Sequence, residues 1–184
     1  MFLYHGTNAA ISQISLSRCK LRTDFGKGFY FSDKIGTAQK WAKDRTDVRR
    51  TGLPTLLRYI VDFERLKSLR GKRFPNEATV EWLDFIGLNR AFNKRNAVNK
   101  EPRHDYDWVS GPIADDKMND VVEEYLAGDI NASEAICRAK TLEHTFQLSI
   151  HTPLAVACVD DENVHYRQLK GVRWLPLDPN WSKR

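Results

Sequence analysis

Gly26-Lys27-Gly28-Phe29-Tyr30-Phe31-Ser32-Asp33 is the stretch on which the reading of this chain turns. Two glycines open the backbone, three aromatic residues follow in a row, and a serine and an aspartate close it. Successive side chains on a strand point to opposite faces, so Phe29 and Phe31 share one face and Tyr30 takes the other. The phenylalanines suit a core. Tyr30, beside a backbone that glycine leaves open, offers a flat ring to a flat ligand. The usual dinucleotide signatures are absent: no G-x-G-x-x-G opens a helix, and there is no Walker sequence. A dinucleotide bound by this chain is therefore bound by another route.

Upstream, residues 2–5 read as a short strand. His5 sits at its end, followed by Gly6 and Thr7, where main-chain groups become free and an imidazole can donate one hydrogen bond and accept another. Downstream, residues 33–50 read as a helix, with Ser32 placed to cap it, Ile35, Ala38, Trp41 and Ala42 on one face, and Gly52 as its stop. Residues 56–63 form a buried strand and 78–92 a helix with Val80, Leu83 and Ile86 on one stripe. A polar loop over 93–104 leads to a strand at 106–110, which Gly111-Pro112 should break. Asp115 or Asp116 caps a helix carrying Met118, Val121, Val122, Tyr125 and Leu126 on one face and ending at Gly128. Asn131 with Glu134 starts another, reaching 142. Over 145–151, Phe146, Leu148 and Ile150 alternate with Thr145, Gln147, Ser149 and His151, as in a half-buried strand with a polar face free for chemistry. The tail from 154 mixes short strands and turns. The expected fold class is α+β, in a single domain over 1–184.

The 184 residues are 41% hydrophobic, enough for a packed core. No apolar run approaches the roughly 18–20 residues that span a bilayer. The start has neither the basic nor the long apolar region of a secretory leader. The expectation is a cytoplasmic protein, in its own cell or a target cell, with no membrane partner. Three widely spaced cysteines, Cys19, Cys137 and Cys158, argue against a disulfide framework or a zinc knuckle, and Cys137 reads as core. No two histidines have metal-ligand spacing, so no metal is expected. The net charge of +5 comes from basic clusters at 43–50, 65–73 and 90–103, each interrupted by acids. A solvated surface is the favoured reading over a nucleic-acid face.

Taken together and in this order, the motifs resemble the ADP-ribosyltransferase superfamily, in its H-Y-E branch that includes diphtheria toxin and the poly(ADP-ribose) polymerases. Tyr4-His5-Gly6-Thr7 resembles the first motif, and the stretch from Gly26 to Asp33 resembles the polymerase motif of Gly-x-Gly, hydrophobe, Tyr, Phe, small residue and Asp. More narrowly, the chain looks like the bacterial family catalogued as domain of unknown function 3990. That likeness includes Trp82-Leu83-Asp84-Phe85-Ile86, Asn89-Arg90, and the run from Tyr106 through Ser110-Gly111-Pro112 to Asp116.

The resemblance implies a split β-sheet with flanking helices and NAD as the substrate that donates ADP-ribose. It implies that His5 bonds a ribose hydroxyl, the Gly6 backbone holds the carboxamide, Tyr30 stacks on nicotinamide and Trp41 covers its other side. Thr7, Gly28 and Ser32 complete the expected NAD-binding set, and His5, Tyr30 and Gln147 the catalytic set. Most of the superfamily has Glu where this chain has Gln147. An amide orients the ribose without supplying charge, and so implies single ADP-ribose transfer rather than chain elongation. Gln147→Glu is expected to preserve or raise NAD hydrolysis. Glu143, Asp107 and Asp115 are further candidate carboxylates. The implied acceptor is a macromolecule, protein or nucleic acid, with an antitoxin or inhibitor protein as a further partner by family analogy. A basic stretch with Arg90, Lys94, Arg95, Lys100 and Arg103 is a candidate dock for it. Two other readings are a non-catalytic NAD or ADP-ribose module, because Gln147 is neutral, and an RNA 2′-phosphotransferase, which shares the Tyr-His-Gly-Thr start. The second motif here lacks the His-rich pattern of the latter.

Overall fold

The computed structural model describes residues 1–90, 104–114, 116–140 and 145–177. β1 (Phe2–Thr7) is followed by a short turn of 3-10 helix (Leu16–Arg18), β2 (Phe29–Ser32) and α1 (Ile35–Arg49). Next come β3 (Thr55–Val61), α2 (Phe63–Lys67), β4 (Gly71–Arg73) and α3 (Val80–Arg90). The second half runs β5 (Trp108–Pro112), α4 (Asp116–Ala127), α5 (Ala132–Lys140), β6 (Phe146–Ile150), α6 (Pro153–Val156), β7 (Val159–Lys170) and β8 (Arg173–Pro176).

Among the described residues, eight strands join one mixed sheet in the order β4-β5-β6-β2-β1-β3-β7-β8. Every pairing is antiparallel except β4 with β5. Period-two alternation sorts the side chains into two cores. Leu3, Phe29, Phe31, Leu57, Leu148 and Ile150 belong to one. Phe25, Phe74, Val109, the α3 residues Trp82, Leu83 and Ile86, and the α4 residues Met118, Val121 and Val122 belong to the other. Tyr30 packs against this second core, opposite its phenylalanine neighbours. Among the described residues no helix is long and apolar enough to cross a membrane.

Several expectations are corrected. Gly111 and Pro112 do not break β5; they are its last two residues, paired with Gln147 and Phe146. Proline is tolerated at a strand end, and Ile113 N–H carries the ladder on to the Thr145 carbonyl at 2.7 Å. Ser32 is not the helix cap: α1 starts after Lys34, whose N–H donates to Ser32 Oγ at 3.1 Å. The helix ends on Arg50 in the left-handed region (φ 52), before Gly52 is reached. Ile35, Val80 and Leu126 are exposed, as is Cys137, which therefore lies outside the core. Residues 65–73, read as a basic cluster, contain the end of α2 and the parallel edge strand β4. The polar face of β6 is buried as thoroughly as its apolar face: Gln147 is 3% exposed and Ser149 fully covered. Asn131 does cap α5, its Oδ1 accepting from Glu134 N–H at 3.0 Å.

Candidate active site

β1 pairs with β3 at six positions but with β2 only at Tyr4 and Ser32. Past that pair the C-terminal half of β1 and the N-terminal half of β2 line a cavity of about 450 Å³. His5, Gly6, Thr7, Gly28, Tyr30, Trp41 and Gln147 all line it. The volume is in the range of ordinary ligand clefts, about 300–1,000 Å³.

His5 reaches across the gap. Its Nδ1–H donates to the Tyr30 carbonyl at 2.7 Å, and its ring stacks on Phe29 at 4.1 Å between centroids. Because the partner is a carbonyl, Nδ1 carries the proton and Nε2 keeps a lone pair. Burial pushes the imidazole down to about 4, against the opposing bond to Tyr30 and with help from Arg45. His5 is thus a neutral hydrogen-bond acceptor toward the cavity at neutral pH.

Tyr30 presents its ring, since its hydroxyl is engaged. The O–H donates to the Gly26 carbonyl at 2.7 Å and accepts from Phe25 N–H at 2.9 Å and Thr23 Oγ1 at 2.8 Å. Burial raises the phenol far above its usual range, so this tyrosine is not a base. Two further imidazoles brace the same loop. His104 Nε2–H donates to the Phe25 carbonyl at 2.8 Å and His151 Nδ1–H to the Lys27 carbonyl at 2.9 Å. A Cβ on Gly28 would lie 2.7 Å from the His151 ring, which explains the glycine there. Gly6 is explained in the same way: a Cβ would sit 1.9 Å from the Ala38 carbonyl oxygen, so its absence lets α1 lie directly on β1. That packing carries Trp41 to the cavity wall.

Gln147 projects from β6 toward the same space. Its Nε2 donates to Asp24 Oδ2 at 2.6 Å and to the Pro112 carbonyl at 3.2 Å. Both partners are acceptors only, which fixes the amide orientation and leaves Oε1 as the free group. Asp24 also lines the cavity and is 9% exposed. Its Oδ2 accepts from Ala114 N–H at 3.1 Å, and its Oδ1 from Arg90 Nη2 at 2.6 Å. Arg90 is in turn held by Asn119 Oδ1 and the Ala114 carbonyl. Arg18, Lys20, Arg45 and Arg49 make the rim cationic, with Asp44 among them. Burial, then Arg45 and Arg49, lower the Lys20 ammonium, as expected of crowded like charges. The Cys19 thiol beside them is raised by burial and is no ready nucleophile.

Of the expected binding residues, Ser32 alone does not line the cavity; it is buried at the single β1–β2 pair. Asp107 lies elsewhere too: its carboxylate staples Arg70 N–H at 3.0 Å and Thr152 Oγ1 at 2.5 Å. Asp115, Glu143 and the basic residues Lys94, Arg95, Lys100 and Arg103 lie outside the described residues. Asp24, Arg45 and Arg49 line the cavity without having been placed there from the sequence, and Arg90, read as part of an acceptor dock, holds the Asp24 carboxylate instead. Asp24 carries a faint signal, an acid two residues before Gly26, but its partners lie 66, 90 and 123 residues away.

The family described as "Protein of unknown function (DUF3990)" matches residues 1–160. The chain belongs to the DUF3990 family. No curated protein and no solved structure matches it. The DUF3990 match holds every residue lining the cavity and stops at the second residue of β7, so most of the terminal hairpin lies beyond it.

Proposed function

We propose that this DUF3990 chain is an NAD-dependent mono-ADP-ribosyltransferase, releasing nicotinamide and passing ADP-ribose to a macromolecular acceptor. The observation that carries the reading is the meeting of His5, Tyr30, Trp41 and Gln147, from three strands' neighbourhoods and a helix, around one cavity. Two aromatic rings suit the two faces of nicotinamide. The neutral His5 Nε2 suits a ribose hydroxyl, and Gln147 Oε1 suits a second one. The cationic rim suits the diphosphate. The parting of β1 from β2 accords with the split sheet of ADP-ribosyltransferases. In the reaction the ribose C1′–N bond breaks and nicotinamide leaves with the bonding pair. The acceptor's lone pair forms the new bond at C1′, and its proton passes to solvent. The protein's part is to orient the ribose, exclude water from the rings and stabilise the charge growing at C1′.

The test is calorimetric titration with NAD, followed by incubation of labelled NAD with a whole lysate and separate protease and nuclease digestion of the product. Expected are NAD binding, release of nicotinamide, and label sensitive to one of the two digestions. His5→Ala removes the bond to the ribose and weakens NAD binding by about 0.5–1.5 kcal/mol. Unchanged affinity in that variant would mean that NAD does not bind in this cavity. Binding with no turnover in wild type would leave a non-catalytic module.

A further inference from the structure

We infer that Asp24 is a positioning residue of this site, its built-in carboxylate acting on the ribose through Gln147. The inference rests on the transferase reading and deepens it. Gln147 has no freedom to rotate: one amide N–H is taken by Asp24 Oδ2 at 2.6 Å and the other is directed at the Pro112 carbonyl at 3.2 Å. Oε1 must then be the atom the amide turns toward the cavity that Gln147 and Asp24 line together. A bond donated to a carboxylate is charge-assisted, and such a bond polarises the amide so that its carbonyl oxygen accepts more strongly. The ribose hydroxyl held by Oε1 is therefore backed by a negative charge one bond behind it. As positive charge grows at C1′, that arrangement strengthens, while neither Asp24 nor Gln147 gains or loses a proton.

The Asp24 carboxylate is itself built in. Arg90 holds Oδ1 at 2.6 Å and Ala114 N–H holds Oδ2 at 3.1 Å, so the acid does not swing into the cavity to bind substrate directly. The glutamine is then the residue this site requires. A glutamate in its place would set a carboxylate oxygen against Asp24 Oδ2 and a carbonyl, and two carboxylates in such contact cannot both ionise. The geometry thus reverses the expectation that Gln147→Glu preserves or raises NAD hydrolysis.

Three variants test this: Asp24→Asn, Gln147→Glu, and the two combined. Calorimetry gives the NAD Kd, nicotinamide release gives kcat, and thermal melting checks the fold. Each single variant is expected to lower kcat by about 10²-fold while NAD Kd stays within about threefold, the mark of a contact that matters as charge develops. In the double variant the contact between two carboxylates is gone, so kcat recovers by about tenfold over Gln147→Glu alone. Gln147→Glu leaves the bonds of Asp24 to Arg90 and Ala114 in place, so it decides the matter even if Asp24→Asn unfolds. Wild-type kcat in Gln147→Glu, or a double variant no better than Gln147→Glu alone, overturns the proposal while leaving the transferase reading intact. A wild-type protein that neither binds NAD nor releases nicotinamide overturns both.

Discussion

Tyr30 shows how one side chain serves the site and the fold together. Its ring lines the cavity, while its hydroxyl ties Phe25 N–H and the Gly26 carbonyl. The two uses separate by substitution. Tyr30→Phe keeps the ring but leaves Phe25 N–H without its partner, so stability should fall by about 1–3 kcal/mol. NAD affinity should stay within about threefold, the loss of one neutral bond at most. Tyr30→Ala should lose both. Urea unfolding beside NAD titration reads the two effects, and a Phe variant as stable as wild type would show that the hydroxyl braces nothing.

At the scale of elements, α1 is the decisive one. Gly6 lets it approach β1 closely, and its last turns bring Arg45 and Arg49, one turn apart, to the cavity rim. Burial and the neighbouring Arg49 make Arg45 a less comfortable cation, a state that a bound anion relieves. Replacing both arginines by glutamine should weaken NAD binding by about tenfold at low salt. The gap to wild type should narrow as salt rises past about 0.5 M, because exposed charges are screened. Nicotinamide alone, which has no diphosphate, should bind both proteins equally. An NAD affinity that is the same in both at low salt would place the diphosphate elsewhere.

Across the whole molecule, three partly buried imidazoles make stability depend on pH. His5 and His151 are pushed down to about 4, both chiefly by burial, and His104 is lowered for the same reason. The unfolded chain protonates these histidines near 6.5, whereas the folded chain resists until about 4. Between those values the unfolded state holds more protons, so stability is full above 6.5 and is lost as pH falls toward 4. Urea midpoints measured across that window should drop steadily, and less steeply in His151→Gln. A flat profile above the carboxylate range would mean that the imidazoles titrate normally. The site loop is expected to loosen with them, since His104 and His151 hold its carbonyls.

What the amino-acid sequence determined by itself was local and periodic. Alternation in 145–151 separated Gln147 from Leu148 and Ile150, the two glycines before Phe29 marked the loop, and Asn131 with Glu134 marked a helix start. His5, Tyr30 and Gln147 each sit in a short motif and Trp41 on the helix after the second one, and all four line one cavity. Only the tertiary structure decided what those motifs meet. Gly111-Pro112 reads as a break, yet β6 and the core around Phe25 and Phe74 keep it in the sheet. Cys137 reads as core, yet the helix turns it outward. Asp24 joins Gln147, Ala114 and Arg90 only after the chain folds, because hydrogen bonds between residues 66 to 123 positions apart leave no periodic trace. A carboxylate's neighbours, and so the charge it lends to a site, are set by sheet order and helix packing rather than by the residues beside it in the chain.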